Sequence, residues 1–150
     1  MARIMLIGDS IRNSYEPLVA EILGAEGHEV WGAPGNSQFT LFTLASLGSW
    51  LTAFPEPDVV HWNNDLTTSV HPDRPFRDDQ WSWRNEEIDA YNDAARLVMT
   101  ELEIPINELH TLVASDVGRL LSSDQLHLSD AGKQTCAEAV CGAIRTHLPT

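Results

Sequence analysis

Positive charge is scarce in this chain of 150 residues. It has 9 lysine and arginine residues against 22 aspartate and glutamate residues, so its net charge is −13 with histidine neutral. Lys133 is the only lysine, and no basic run occurs anywhere. Nucleic-acid backbones and anionic membrane surfaces are bound by clustered lysine and arginine. The composition therefore predicts no nucleic-acid partner and no membrane partner.

Long apolar runs and cysteines are also scarce. The apolar start at residues 1–8 is much shorter than the roughly 18 residues that a membrane helix needs, and it is too short for the core of a signal peptide. Cys136 and Cys141 are five residues apart in a predicted helix, which turns them roughly 140° away from each other and argues against a local disulfide. We therefore expect a cytoplasmic protein.

Short strands and helices alternate along the chain. Apolar runs predict strands at 3–7, 28–31, 58–62 and 104–106, and helical spacing predicts helices at 17–23, 39–51, 86–102 and 130–147. The interval from 63 to 84 is polar and irregular. The alternation predicts one α/β domain over residues 1–150, with a parallel sheet whose ligand site lies at the carboxyl ends of the strands.

Polar residues follow three of the predicted strands and precede the last helix. They are Ser10, the Gly35-Asn36-Ser37 segment, the Asn63-Asn64-Asp65 segment, and the Asp124 and His127 pair. A serine becomes a nucleophile when an imidazole accepts its proton, and the imidazole needs an acceptor that fixes its tautomer. The spacing of three predicts that the carboxylate reaches Nδ1 of the histidine. A glycine N–H and an asparagine amide can supply oxyanion donors without adding charge.

The order of these motifs resembles that of the SGNH hydrolases, also called GDSL-type esterases and lipases. The matching blocks are Gly8-Asp9-Ser10, Gly35, the Asn63-Asn64 pair and Asp124-x-x-His127. Together they span almost the whole chain. The resemblance implies a three-layer, flavodoxin-like fold with a short parallel sheet flanked by helices, and an enzyme that needs no cofactor and no metal.

The resemblance also implies a role for each matching residue. Ser10 would be the nucleophile, His127 the general base and then the acid, and Asp124 the residue that orients His127. The oxyanion hole would consist of the N–H groups of Ser10 and Gly35 with one asparagine amide. Family members that have Gly-x-Asn-Asp here favour Asn64, and those that have Asn-x-Gly-Leu favour Asn63.

We favour Asn63 as the oxyanion donor, because this alignment keeps Leu66 and puts the donor directly at the strand end. Asn64, Trp81 and Trp83 are then candidates for contact with substrate. The sequence favours neither of two roles for the tryptophans, which are stacking on a sugar ring and covering the sheet.

The expected activity is hydrolysis of a small-molecule carboxylic ester with a small acyl group, such as acetyl on a carbohydrate, through an acyl-serine intermediate. The alternative is a catalytically idle domain of the same fold that binds an acylated or carbohydrate ligand or a protein partner. Ser10 also has a structural interpretation, as the N-cap of the first helix.

Two departures from the family pattern affect these expectations. Gln125 stands where the fourth block often has a glycine. Residues 66–85 fill an interval in which family members usually carry a helix and a strand, so we expect four strands, or five if this segment supplies one. An uncovered sheet edge can pair with a second copy of the chain, which suggests a homo-oligomer.

Overall fold

The computed structural model describes residues 1–37, 39–63 and 83–149. Two compact units make up the chain. The first comprises Met1–Asn64 with Lys133–Thr150, and the second comprises Asp65–Gly132. The single domain expected over residues 1–150 stays a prediction.

A parallel sheet lies at the centre of the first unit. It comprises β1 (Arg3–Gly8), β2 (Glu29–Gly32) and β3 (Val59–Asn63), in the order β2-β1-β3. β1 is buried along nearly its whole length, as a central strand covered on both faces should be. The α/β class with a parallel sheet flanked by helices is confirmed.

The sheet has fewer strands than the sequence predicts. Four or five were expected, and the described residues contain three. The strand expected at 104–106 is irregular, with Ile104 and Ile106 half exposed. Pro105 lies between them and has no N–H to give to a strand ladder. The strand predicted at 104–106 from its apolar residues is therefore wrong.

The outer side of β3 is an edge among the described strands. Val60 and Trp62 on this strand are 47% and 41% exposed. The homo-oligomer expected through such an edge stays a prediction.

Helices cover both faces of this sheet within the first unit. They are α1 (Ser10–Ala25), α2 (Thr40–Ala53) and, from Lys133 onward, α6 (Asp130–Thr146). Met5 and Ile7 of β1 pack with Trp50 and Phe54 at the end of α2. The alternate residues of a strand point to the opposite face, the side on which α1 packs against β1 and β2. Because of this layering, the loops at the carboxyl edge of the sheet have a rigid base.

α1 is longer than the sequence predicts. It begins at Ser10 rather than Pro17, and it buries a stripe of residues spaced four apart, namely Ile11, Tyr15, Val19 and Leu23. Pro17 lies on the exposed side of the helix, so the missing N–H falls on the solvent face rather than in the core. α6 runs beside α1, and Nε of Arg145 donates to the Glu26 carboxylate at 3.2 Å.

The second unit is helical where it is described. It contains α3 (Asn85–Glu101), α4 (Leu109–Ala114) and α5 (Val117–Leu120), of which only α3 was predicted. A fork from Arg96 of α3 to the Glu108 carboxylate, at 3.1 and 2.9 Å, joins α3 to the start of α4. Leu121 and Leu128 then form an isolated antiparallel bridge.

None of the described helices could cross a membrane. The longest, α3 and α6, have 17 residues each, and both carry charged side chains. A spanning helix needs about 20 predominantly apolar residues. Within the described ranges no helix is both long and apolar enough.

Candidate active site

The turn that carries Ser10 joins β1 directly to α1. Asp9 is the N-cap of α1, and its Oδ1 accepts a hydrogen bond from the N–H of Ile11 at 2.8 Å. Ser10 is therefore the first residue of the helix, and the capping role that its position suggested belongs to Asp9. Gly8 is required, because a Cβ there would lie 2.5 Å from the carbonyl oxygen of Asn63.

The candidate oxyanion residues lie on neighbouring loops at the carboxyl edge of the sheet. Asn63 ends β3 and is the register partner of Gly8. Gly35 has φ of +76°, a left-handed conformation that glycine adopts without strain. The N–H of Ser37, two residues further, donates to the carbonyl of Gly8 at 3.0 Å. Both loops therefore adjoin the turn that carries Ser10.

Asn63, the predicted oxyanion donor, has a buried side-chain amide at the end of β3. Its side chain is buried, and its Nδ2 has no hydrogen-bond partner among the described residues. A buried donor without a partner costs about 1–3 kcal/mol. The hydroxyl of Tyr15 lies within interaction range of Asn63, but without the geometry of a formed hydrogen bond. Burial raises the pKa of Tyr15, so this neighbour stays neutral.

Asp124 and His127 form a closely tied pair in the second unit. Their loop is closed by the Leu121–Leu128 bridge and by the N–H of Ser122, which donates to the carbonyl of His127 at 2.8 Å. Nδ1 of His127 lies 2.7 Å from Oδ2 of Asp124. The other carboxylate oxygen accepts from the backbone N–H groups of Leu126 and His127, each at 2.9 Å, and from the Ser122 hydroxyl at 2.6 Å.

These hydrogen bonds fix the charge of Asp124. Partial burial alone would raise the pKa of this carboxyl. The donors on Ser122, His127 and Leu126 outweigh that effect, and the pKa lies well below its ordinary value. Asp124 is therefore an anion at neutral pH, and it holds the imidazole in the tautomer with the proton on Nδ1.

The remaining sequence predictions fall mainly outside the described residues. Asn64 and Trp81 lie there, and Trp83 is described and 42% exposed. Within the described ranges, no group of three His, Cys, Asp or Glu side chains is placed to hold a metal ion.

Arg12 is the site residue that sequence reasoning missed. It is 1% exposed, and its Nη2 donates to the carbonyls of Ala33 at 2.7 Å and Gly35 at 2.9 Å. The signal for it was present, because Arg12 follows Ser10 by two residues on what is now the first turn of α1. A predicted helix that began at Pro17 left Arg12 in a loop.

The fold and its polar residues define the class of this protein. This is a parallel α/β protein whose candidate chemistry lies on loops at the carboxyl ends of its strands and before its last helix. No family model matches the chain, and no curated protein matches it in sequence.

A solved structure matches the fold. It is the crystal structure of an acetyl xylan esterase, AlAXEase, which superimposes with a TM-score of 0.73 over 95% of this chain and 99% of that chain. The two sequences are 16% identical. At this identity the likeness establishes the fold.

Proposed function

We propose that this protein is a serine esterase of the SGNH type, with Ser10, His127 and Asp124 as its catalytic triad. The observation that carries the proposal is the 2.7 Å contact between Nδ1 of His127 and the Asp124 carboxylate. In a serine triad the aspartate holds the histidine in the tautomer in which Nε2 is the acceptor of the serine proton. The esterase-like fold and the order of the four sequence motifs support it further.

The first chemical step is acylation. Oγ of Ser10 attacks the ester carbonyl carbon while Nε2 of His127 accepts the hydroxyl proton. The carbonyl oxygen becomes an oxyanion, which accepts hydrogen bonds from the N–H groups of Ser10 and Gly35 and from Nδ2 of Asn63. The tetrahedral intermediate collapses, the C–O bond to the alcohol breaks, and His127 gives its proton to the departing oxygen. Asp124 stabilises the imidazolium while it exists.

The second step is deacylation. Water attacks the acyl-Ser10 carbonyl and loses a proton to His127, and the same donors hold the oxyanion. Collapse breaks the bond to Oγ of Ser10, which recovers the proton from His127 and releases the carboxylic acid. The net reaction consumes one ester and one water and needs no cofactor.

The proposed substrate is an acetyl ester on a carbohydrate. The structural neighbour is described as an acetyl xylan esterase, and the exposed Trp83 offers an aromatic face to a sugar ring. We expect release of acetate from acetylated xylan, and faster hydrolysis of p-nitrophenyl acetate than of the butyrate or octanoate.

The deciding experiment is hydrolysis of p-nitrophenyl acetate by the wild-type protein, Ser10→Ala and His127→Gln. Loss of either group should lower kcat by about 10⁴-fold or more. Asn63→Ala should lower kcat by about 10²–10³-fold with a smaller effect on KM, because its donor acts on the oxyanion.

Two matched controls come from the same units. Ser14→Ala removes a hydroxyl of α1 that donates to the Ile11 carbonyl at 2.6 Å. His110→Gln removes a histidine that lies 4.0 Å from Asp89. Both should keep full activity. Wild-type turnover that survives Ser10→Ala, or no turnover on any acyl length or on acetylated xylan, would overturn the esterase and favour the idle ligand-binding domain.

A further inference from the structure

Arg12 is a buried cation whose Nη2 group contacts backbone carbonyls of the candidate oxyanion hole. Its Nη2 has two hydrogens and contacts three carbonyl oxygens, those of Ala33 at 2.7 Å, of Gly35 at 2.9 Å and, in a longer contact that shares a hydrogen, of Gly8 at 3.3 Å. Its Nη1 meets the carboxylate of Glu16, one helical turn further along α1. A single side chain thus holds three carbonyls from the ends of two strands.

Two of these carbonyls enclose the candidate oxyanion donor. The N–H of Gly35 belongs to the peptide group between Pro34 and Gly35, so it lies between the anchored carbonyls of Ala33 and Gly35. Pro34 fixes its own φ near −65°. With both neighbouring carbonyls held by Arg12, the peptide that carries this N–H has little freedom to turn.

The third carbonyl joins this loop to the nucleophile turn. The oxygen of Gly8 accepts from Arg12 and also from the N–H of Ser37 at 3.0 Å. Gly8 ends β1 two residues before Ser10. The loop of residues 33–37 is therefore bonded at its start to Arg12 in the first turn of α1 and at its end to Gly8, two residues before the nucleophile.

The charge of Arg12 is balanced beside it. Glu16 supplies the counter-ion, and the absence of a side chain at Gly32 makes room, because a Cβ there would overlap the Glu16 carboxylate. A buried ion pair of this kind is weak evidence for stability, since apolar side chains of similar volume often serve as well. The distinct contribution of the Arg12–Glu16 pair is that it fixes the orientation of the carbonyl groups that Arg12 contacts.

We propose that Arg12 is a positioning residue that sets the Gly35 loop against the Ser10 turn, so that the Gly35 N–H is aimed at the oxyanion before substrate binds. The proposal rests on the proposed esterase function. Pre-set donors contribute most in the transition state, and a displacement of about 1 Å can cost about 10²-fold in rate. Arg12 itself does not touch the reacting atoms.

The test compares Arg12→Met and Arg12→Lys with the wild-type protein. The measured quantity is kcat on p-nitrophenyl acetate per Ser10 site, with sites counted by titration with a fluorophosphonate. Arg12→Met should lower kcat per site by about 10²-fold with KM little changed. Arg12→Lys should give a kcat per site between those of Arg12→Met and the wild-type protein. The guanidinium reaches the carbonyls through Nη2 and Glu16 through Nη1, whereas lysine has one nitrogen for both. Arg12→Lys also keeps a positive charge beside Glu16, so it provides the test if Arg12→Met does not fold.

Arg145→Met is the matched control. It removes an arginine–glutamate pair that also involves α1, through Glu26, but lies away from these loops. It should leave kcat per site unchanged. A purely structural Arg12 would lower the melting temperature and the number of titratable sites and leave kcat per site unchanged, which would overturn the proposal.

A second readout does not depend on turnover. The N–H groups of Ala33 and Ser37 donate to Leu6 and Gly8 at 2.9 and 3.0 Å, so their hydrogen exchange reports opening of the loop. Arg12→Met should speed both exchanges by about tenfold or more, and Arg145→Met should not. Unchanged hydrogen-exchange rates in both variants would mean that Arg12 does not hold the loop in place, and this would overturn the proposal. Faster exchange in a protein without Ser10-dependent turnover overturns the proposed function instead.

Discussion

Gln125 adopts a left-handed backbone conformation directly after Asp124, with φ of +59°. Side chains other than glycine pay about 1 kcal/mol for this region, and glycine enters it freely. Gln125→Gly should therefore raise the free energy of unfolding by about 0.5 kcal/mol at most, because the larger chain entropy of unfolded glycine offsets about 0.4–1 kcal/mol of the relieved strain. Urea denaturation measures the change.

Glu103→Gly provides the control for this prediction. Glu103 has φ of +54° just after α3, so it should gain stability for the same reason, away from the Asp124–His127 loop. Equal gains in both variants support backbone strain as the cause. A loss of stability in Gln125→Gly alone would mean that the side-chain contacts of Gln125 outweigh the strain.

Local spacing predicted some residue contacts and missed others. Asp124 and His127 are three apart on one turn, so a contact between them follows from covalent geometry. The contacts of Arg12 depend on how the loop after β2 folds back over β1, which spacing does not encode. Turn-forming composition suggested Gly35. The position of Arg12, two residues after Ser10, became informative only once α1 was found to begin at Ser10 rather than Pro17.

Replacement of the two glycines of α6 by alanine should change the free energy of unfolding in opposite directions. A Cβ at Gly142 would meet nothing within 4 Å, whereas a Cβ at Gly132 would overlap the carbonyl of Leu120. Gly142→Ala should raise the free energy of unfolding by about 0.5–1 kcal/mol, because alanine favours the helix over glycine. Gly132→Ala should lower it, because the backbone of Leu120 must move.

Thermal or urea unfolding of the two α6 variants checks this prediction. The pair controls itself, since both changes add one methyl group to the same helix. Stabilisation by both would contradict the close approach of Leu120 to Gly132. The same close approach explains why a glycine follows the Asp124-x-x-His127 motif at the start of the final helix.

Elements were predictable where one periodicity dominated. β1, β2 and β3 follow apolar runs, and α3 follows an apolar stripe, so the predicted bounds differ from the observed ones by a few residues at most. α1 was cut short because Pro17 resembles a helix start, yet its exposed position lets the helix continue past it. α4 and α5 are short, and their few residues give too little periodicity to recognise.

At the scale of the whole molecule, stability should depend on pH through His61. The residue as a whole is partly exposed, but its Nδ1 is buried, and burial lowers the pKa of His61 to about 4. The unfolded chain takes up this proton near the ordinary value of about 6.5. Between these values the unfolded state binds a proton that the folded state does not, so stability is full above about pH 6.5 and falls as the pH drops toward 4.

The expected loss is on the order of 2–3 kcal/mol by pH 4, since each unit of pKa shift corresponds to about 1.4 kcal/mol. The measurement is the free energy of unfolding from pH 4 to 8 for the wild-type protein and His61→Gln. The variant should show a shallower dependence over pH 4 to 6.5. His147→Gln, at the exposed end of the chain, controls for removal of an imidazole, and equal slopes in the wild-type protein and His61→Gln would refute the role of His61.

Both cysteines are buried and not paired with each other. Burial raises the pKa of the Cys136 thiol to about 11, and burial also raises that of Cys141. Thiol reagents attack through the thiolate, so neither side chain should be modified in the folded protein at neutral pH. The native thiols should therefore not compete for a thiol-reactive label. One surface cysteine introduced in either compact unit would accept a fluorophore or spin label without removal of Cys136 and Cys141.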